Sequence, residues 1–303
     1  SDLRRPSGRR NLLGAMDPIF ILIQAMNGVQ YGLLLFLIAS GLTLVLGIMN
    51  VINLAHGSFY MIGAYLAVFL TAKTGNLFVA LVLGLAIAVA VGVLVEKLFI
   101  ARLYARDHLY QVLVTYGLIL IFNELQRLIY GDDVYGVAMP ALLSGSIPLT
   151  GTLSYPIYRI FLSGVCVAVI VAMYLVVQRT RLGMMIRAGS VNREMVQSLG
   201  INIGMLNTMV FAAGAGLAAF AGIVAAPLSS AYPGAGENIL IVCFVIVVIG
   251  GMGSIRGAFI AAILVGLADT FGKVVIPDFS GVTIYALMAI ILLFRPRTAA
   301  VGA

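Results

Sequence analysis

The feature that most constrains this chain is a series of long apolar segments without a charged residue. Residues 18–72 contain no Asp, Glu, Lys or Arg, and neither do residues 77–95 and 204–226. Charged residues make up only 10% of the 303 residues, whereas they make up about 25% of a soluble domain. About 20 consecutive apolar residues are enough to cross the hydrocarbon core of a bilayer as a helix. The sequence therefore predicts an all-α, polytopic transmembrane helical bundle.

The apolar segments predict eight to ten spans, with some helices short or broken. Seven clear segments cover residues 77–97, 109–130, 156–178, 204–226, 239–255, 258–276 and 281–294. The region 18–72 precedes them. It crosses an odd number of times if the N-terminus is cytoplasmic, as three short crossings or as one crossing with re-entrant segments. It crosses twice if the N-terminus lies outside.

The basic residues indicate which loops face the cytoplasm. With residues 1–15 left aside, ten Lys and Arg residues fall in loops on one side of the segments and four fall on the other side. Cytoplasmic loops carry the excess of Lys and Arg, so the loop at 179–202, Arg256 and the C-terminal Arg295 and Arg297 are expected in the cytoplasm. The net charge of +7 then reflects membrane orientation and lipid contact, and does not indicate a nucleic-acid partner.

The composition also suggests how the chain divides. Residues 1–15 are polar and basic, and we expect a disordered cytoplasmic extension, an upstream mis-start or a cloning remnant. Residues 16–297 are expected to form a single transmembrane domain with a cytoplasmic loop at 179–202. Residues 298–303 are expected to be a cytoplasmic tail.

The loop at 179–202 is polar but has helical character. It holds Arg179, Arg181, Arg187 and Arg193 against a single acid, with apolar residues between them and Gly200 as a helix stop. A helix with this charge cannot be a span, because charges at the bilayer centre are costly. It lies either on a membrane face or in a groove of another protein.

A polar stretch interrupts the first apolar region. Residues 47–57 hold two glycines beside polar side chains, which is plausible for a break in a span. Polar groups in a membrane need partners, so these side chains either hold helices together or line a translocation pathway. The candidate pathway residues are Asn50, Asn53, His56, Ser58, Tyr60 and Tyr65.

A glycine-rich sequence separates two later apolar segments. Gly250, Gly251, Gly253 and Gly257 fall within eight residues and predict a close-packed turn at the cytoplasmic face. The residues around them do not match a phosphate-binding P-loop. Energy for transport would then come from another chain or from an ion gradient.

Charged residues inside the apolar segments allow one alternative mechanism. Asp269 precedes Lys273 by four residues, so the two share a helix face and predict a neutralised pair. Alternatively, Asp269, with His56 as a possible second group, couples transport to an ion gradient. Glu124 and Arg127 are also spaced to pair at the outer end of their segment.

The sequence holds no catalytic constellation. No metal-ligand cluster and no nucleophile–base motif is present, so the chain is expected not to be an enzyme. A passive channel for urea-like solutes is a further alternative.

Three stretches together resemble the inner-membrane permeases of branched-chain amino acid ABC importers. They are NLAHGSFYMIGAY at 53–65, RAGSVNREMVQSLGIN at 187–202 and GGMGSIRGA at 250–258. The resemblance extends over roughly residues 18–296. The related urea and amide permeases share these motifs, so the substrate class remains branched-chain or related amino acids, with urea or amides as the alternative.

The resemblance implies a multi-pass permease of the bacterial inner membrane that works with several partners. These are a second homologous permease, two cytoplasmic ATPases and a periplasmic substrate-binding protein. ATP and Mg would be bound by the ATPases, with no cofactor in this chain.

The resemblance also implies an ATPase-coupling helix within the loop. In this family the helix carries a Glu-Ala-Ala-type sequence that ends in Gly. Glu194 and Gly200 match, and Met195 and Val196 replace the two alanines; a more apolar helix still fits a groove. The expected coupling residues are Arg187, Ala188, Arg193, Glu194, Met195, Leu199 and Gly200.

Overall fold

A computed structural model describes residues 18–148 and 154–294. The predictions made for residues 1–15, for Arg295 and Arg297, and for the tail at 298–303 lie outside these described residues.

The described chain is built almost entirely of helices. The α-helices are α1 Pro18–Leu44, α2 His56–Thr74, α3 Leu77–Leu98, α4 His108–Tyr130, α5 Ile157–Arg179, α6 Arg181–Val191, α7 Arg193–Ser198, α8 Ile203–Ala225, α9 Ala235–Gly250, α10 Ile255–Val275 and α11 Ser280–Phe294. A π-helical turn, Val45–Met49, extends α1. Short 3-10 helices lie at Ile100–Leu103, Ala141–Leu143 and Pro277–Phe279. Two three-residue strands, β1 Ser146–Pro148 and β2 Ser154–Pro156, pair antiparallel between α4 and α5.

Within residues 18–148 and 154–294, six helices are long and apolar enough to cross a membrane. They are Pro18–Met49, Leu77–Leu103, His108–Tyr130, Ile157–Arg179, Ile203–Ala225 and Ile255–Val275. The helices α9 and α11 are apolar but shorter. This arrangement confirms the prediction of an all-α polytopic bundle.

The centre of the bundle is formed by α1 and α8. The helices differ in how much of the 18-residue apolar stretch of each is buried. The buried share is 89% in α1 and 78% in α8, but only 22% in α4 and in α5. Small residues allow α8 to approach α2 closely. A Cβ atom added at Gly222 would lie 2.1 Å from the Tyr60 carbonyl oxygen, so no larger residue fits this crossing.

The region 18–72 forms two helices separated by a break. After the π-helical turn, Asn50 has the left-handed conformation with φ 50°, and the chain stays non-helical until α2 begins at His56. Asn tolerates this conformation better than most residues, because its side chain can hydrogen-bond locally. The break expected within 47–57 is therefore present.

The direction of α1 follows from its packing against α10. Near the start of α1, Gly28 packs against Leu267 in the second half of α10. At the other end, Gly47 packs against Gly253, just before α10 begins. The two helices are therefore antiparallel, and the break after α1 lies at the same end of the bundle as the glycine turn.

Candidate functional site

The loop predicted to dock a partner forms two short helices rather than one. The chain turns extended at Asn192, which separates α6 from α7. Asn192 Oδ1 accepts a hydrogen bond from Met195 N at 2.9 Å and so caps α7. The helix ends at Gly200, which has φ 82° and lets Ile201 N donate to Val196 O at 3.3 Å. This geometry matches the helix stop expected at Gly200.

Three apolar side chains of this loop are strongly exposed. Val191 ends α6, Met195 lies on α7 and Leu199 caps the end of α7, and their exposed fractions are 87%, 63% and 73%. We call these three residues the docking face. Next to Met195 on α7, Val196 is 3% exposed and anchors the helix to the bundle. An apolar surface displayed in this way is typical of a protein contact.

The predicted coupling residues lie on or beside this surface. Arg187, Ala188, Glu194 and Gly200 are exposed. The Arg187 guanidinium also donates a hydrogen bond to the Val177 carbonyl oxygen at the end of α5. Arg193 differs from the others, because it points back into the bundle.

Arg193 belongs to a group of polar side chains that are buried or half-buried, which we call the Glu96 cluster: Glu96, Tyr104, Arg193, Asn207 and Thr208. Arg193 Nη2 donates to Asn207 Oδ1 at 3.2 Å, and Thr208 Oγ1 donates to Glu96 Oε2 at 2.7 Å. Tyr104 donates its hydroxyl hydrogen to Glu96 and also contacts Asn207. The cluster thus connects α7 to α3 and α8.

Polar groups in the Glu96 cluster are largely removed from water and therefore need hydrogen-bond partners within the protein. Glu96 is 2% exposed and Asn207 is 3% exposed. Burial raises the pKa of the Tyr104 hydroxyl above its ordinary value, and the hydrogen bond to Glu96 and the charge of Glu96 raise it further, against the opposing effects of Arg193 and Asn207. Tyr104 therefore remains a neutral donor to the carboxylate.

Sequence reasoning missed this cluster. The signal available in the sequence was Glu96 itself, an acid at the end of an otherwise apolar segment. Its partner Thr208 lies 112 residues further along the chain, so the pairing emerges only in the fold.

The break after α1 lies beside the docking loop. A groove of about 440 Å³ is lined on one side by Gly47, Ile48 and Asn50 and on the other by residues 189–194. Ile52 N donates to Gln111 Oε1 at 3.1 Å in the first turn of α4, which fixes the break at this end of the bundle.

The four turn glycines lie at the same end. Gly251 has φ 91° and Gly253 has φ 80°, both in the left-handed region that favours glycine. A Cβ atom at Gly257 would lie 1.9 Å from the Gly250 carbonyl oxygen. Gly257 N donates to Ser254 Oγ, which caps α10.

The candidate pathway residues are not gathered in one cavity. Asn53, His56, Ser58 and Tyr65 are buried inside the bundle. His56 Nε2 lies 2.9 Å from the Ile38 carbonyl oxygen, a contact that joins α2 to α1. Asn50 lines the groove beside the docking loop, and Tyr60 lines a cavity at the opposite end.

This second cavity, which we call the Asp269 cavity, has a volume of about 620 Å³. It lies between the start of α1, the start of α5, the residues after α8, α9 and the end of α10. Polar side chains share its wall with apolar ones. Its polar residues include Asn27, Tyr31, Arg159, Ser230, Asp269 and Lys273.

Three charged side chains line the Asp269 cavity: Arg159, Asp269 and Lys273. Lys273 Nζ lies 2.6 Å from Asp269 Oδ2, so the pair expected from their spacing is formed. The Asp269 side chain is 9% exposed, whereas the Lys273 side chain is 60% exposed and its Nζ lies 5.6 Å from the centre of the Tyr31 ring. Separately, Arg159 Nη1 donates to Asn27 Oδ1 at 2.6 Å.

Comparison with known protein families identifies the family of this chain. The model of the family described as the permease component of the branched-chain amino acid transport system matches residues 24–292. The chain belongs to this family. The resemblance based on the three motifs is thereby confirmed.

Curated permeases match over most of their length. BraD of Pseudomonas aeruginosa, a high-affinity branched-chain amino acid transport system permease protein, is 33% identical over 293 residues, which cover 90% of this chain and 93% of BraD. LivH of Escherichia coli K12, with the same description, is 29% identical, with 92% and 94% covered. A probable LivH of Methanocaldococcus jannaschii is 26% identical over 256 residues, with 80% and 78% covered. No solved structure matches.

Membership of the permease family agrees with the fold. The chain is a multi-pass membrane protein and a non-catalytic component of a transport system. The family does not favour the ion-coupled or the passive alternative.

Proposed function

We propose that this chain is a permease subunit of an ATP-driven importer for branched-chain or related amino acids. The observation that supports it best is the docking face on α7, joined to the bundle by the Glu96 cluster. An exposed apolar surface on a helix is typical of a contact with another protein. Here the hydrogen bonds of the Glu96 cluster connect that surface to α3 and α8. The substrate is inferred from BraD and LivH, whose descriptions name branched-chain amino acids.

The proposed assembly follows the family resemblance. Two cytoplasmic ATPases would bind ATP and Mg, a second homologous permease would complete the pathway, and a periplasmic binding protein would deliver the amino acid. The complex would lie in the bacterial inner membrane. The coupling residues Arg187, Ala188, Arg193, Glu194, Met195, Leu199 and Gly200 would contact or support the ATPase.

The proposed topology has nine crossings, one for each of α1–α5 and α8–α11. The region 18–72 would supply two of them, with the start of α1 outside. This count is supported by the antiparallel packing of α1 and α10 and by the break after α1 beside the glycine turn. The basic loops from residue 97 onward would then face the cytoplasm, whereas the basic residues 1–15 would lie outside, in contrast to the cytoplasmic extension expected from the sequence.

The proposed mechanism begins at α7. Closure of the ATPases on ATP would move the docking face, and Arg193 would pass the displacement to Asn207, and through Tyr104 and Thr208 to Glu96. Since Glu96 is on α3 and Asn207 is on α8, both helices would shift and change which side of the membrane the pathway opens to.

The test is retention of the ATPase by the purified permease. Met195→Asp and Leu199→Asp each place a charge on the docking face, and we expect association to weaken by at least about tenfold, as for an interface hot spot. Both side chains are exposed, so folding is retained. Leu142→Asp is the matched control, because Leu142 is 86% exposed at the opposite end of the bundle.

Two results would contradict the proposal. One is association with an ATPase that is equally strong in all three variants. The other is uptake that continues without ATP and collapses when the proton or sodium gradient is dissipated, which would favour ion coupling through Asp269.

A further inference from the structure

We propose that the Asp269 cavity is a transient binding station for the amino-acid zwitterion, with the α-ammonium group at Asp269 and the α-carboxylate at Arg159. This inference rests on the proposed import function and assigns it a site within this chain. The station would receive the substrate at the end of the bundle opposite the docking face.

The Asp269 carboxylate is suited to an exchangeable cation. It is almost fully buried, and an ionised carboxylate in such a place needs a positive partner. Its partner Lys273 has a mostly exposed side chain on a flexible stem, so the Lys273 ammonium group can move into water at little cost. A substrate ammonium can then take its place without leaving the carboxylate unpaired.

The Arg159 guanidinium supplies the opposite charge. Its contacts are with neutral groups, the Asn27 amide oxygen and the Tyr155 hydroxyl. In the described part of the chain, no carboxylate oxygen lies within 4.0 Å of its nitrogens. The guanidinium therefore retains an uncompensated positive charge and a planar set of donors, which suits a carboxylate.

The rest of the cavity wall suits the branched aliphatic side chain of the substrate and also carries polar groups. Leu34, Leu162 and Val242 provide the apolar part. The many polar groups beside them are unsuited to lipid tails, because unpaired polar groups are costly in hydrocarbon. A volume of about 620 Å³ lies in the range of small-molecule sites.

The station is expected to bind weakly. Substrate must displace Lys273 from Asp269, and this exchange subtracts from the binding free energy. Weak binding suits a passage, because a tightly held substrate would not move on.

The first test is ATP-driven uptake by the complete reconstituted complex. We expect Asp269→Asn to lower uptake at least about tenfold, which is the loss typical of removing one member of a buried charge contact. The double variant Asp269→Asn with Lys273→Met should remain low, since the ammonium site is still missing. ATPase stimulation by the loaded binding protein should persist in each.

The matched control is Glu124→Gln, which removes an acid from an exposed ion pair, with side chains 56% and 60% exposed. Its uptake should equal that of the wild type. Restored uptake in the double variant would overturn the proposal, because Asp269 and Lys273 would then be only a structural pair. Wild-type uptake by Asp269→Asn would overturn it as well.

The second test leaves Asp269 unchanged. Ser230 is exposed and lines the cavity, and native Cys166 and Cys243 are buried, so Ser230→Cys can be labelled selectively. Leucine should slow the labelling, whereas 4-methylpentanoate, which lacks the ammonium group, and leucinamide, which lacks the carboxylate, should slow it less. Equal protection by all three, or none by leucine, would overturn the station.

The proposed function fails differently. If the wild-type complex shows no ATP-dependent uptake and binds no ATPase, the importer assignment falls. If the wild type transports and only the Asp269 results disagree, the station alone is wrong.

Discussion

Glu96 is an acid held inside a membrane bundle by one donor from the loop that follows α3 and another from α8. Tyr104 and Thr208 both donate to its carboxylate, and the neighbouring Asn207 accepts from Arg193 of α7. A carboxylate that accepts two hydrogen bonds fixes the relative positions of the elements that supply them. Glu96 is therefore where a displacement of α7 is expected to reach α3.

Replacing Glu96 by Ala should separate ATP hydrolysis from transport. The substitution removes the carboxylate acceptor of the half-buried Tyr104 hydroxyl, whereas Thr208 Oγ1 keeps the Gly204 carbonyl oxygen as an acceptor at 3.1 Å. Loss of one such partner lowers the free energy of unfolding by about 1–3 kcal/mol. We expect more ATP hydrolysed for each amino acid imported, measured on the reconstituted complex.

The matched control is Asp107→Ala, because Asp107 is an exposed acid in the neighbouring loop and should leave this ratio unchanged. A folded Glu96→Ala complex with the wild-type ratio would show that the cluster serves stability alone.

The spacing of residues in the sequence predicts the Asp269–Lys273 pair but not the Glu96 cluster. Asp269 and Lys273 are four residues apart on one helix, so the sequence alone predicts their contact. The Glu96 cluster draws on α3, α7, α8 and the loop after α3, and single-sequence spacing carries no information about such long-range contacts.

At the scale of the element, α7 is too short to be stable alone. It has six residues and depends on the Asn192 cap, the Gly200 stop and the burial of Val196. The long helix α8 begins with the same kind of cap at Asn202, but it is held by packing along most of its length.

This difference predicts unequal effects of the same substitution. Asn192→Ala should weaken ATPase association by up to about fivefold, because the loss of a cap costs about 1 kcal/mol and the docking face is then less often helical. Asn202→Ala should have little effect, and it serves as the control. Binding of the purified ATPase measures both, and equal affinities would contradict this account of α7.

Element boundaries followed from the sequence where apolar runs were long. The break within 47–57 could be placed because its polar residues and glycines interrupt such a run. The division of the docking loop into α6 and α7 could not, because it depends on the extended backbone at Asn192.

At the scale of the whole molecule, charge alone left the first region undecided. The basic residues predict the orientation of the loops from residue 77 onward, but residues 18–72 carry no charge that could orient them. The antiparallel contact between α1 and α10 supplies the missing constraint. This contact joins helices that are far apart in the sequence, so it could not be predicted from local charge patterns.

The proposed topology can be tested by thiol labelling from outside intact cells. Pro18→Cys, Asn76→Cys and Ser144→Cys should react with a membrane-impermeant reagent, because all three would lie outside. Ser198→Cys should react only after the cells are opened. If Pro18→Cys behaved like Ser198→Cys, the region 18–72 would cross an odd number of times, and nine crossings would be wrong.

The central position of α1 has a consequence for how the protein is made. This helix leaves the ribosome well before the two helices with which it makes its most extensive contacts, because α8 and α10 lie much further along the chain. Until they are synthesised, α1 must reside in lipid or be held by the insertion machinery. A charge in α1 would be costly during the stage in lipid, before any partner helix could pair with it, which gives a biosynthetic reason why α1 carries no charged residue.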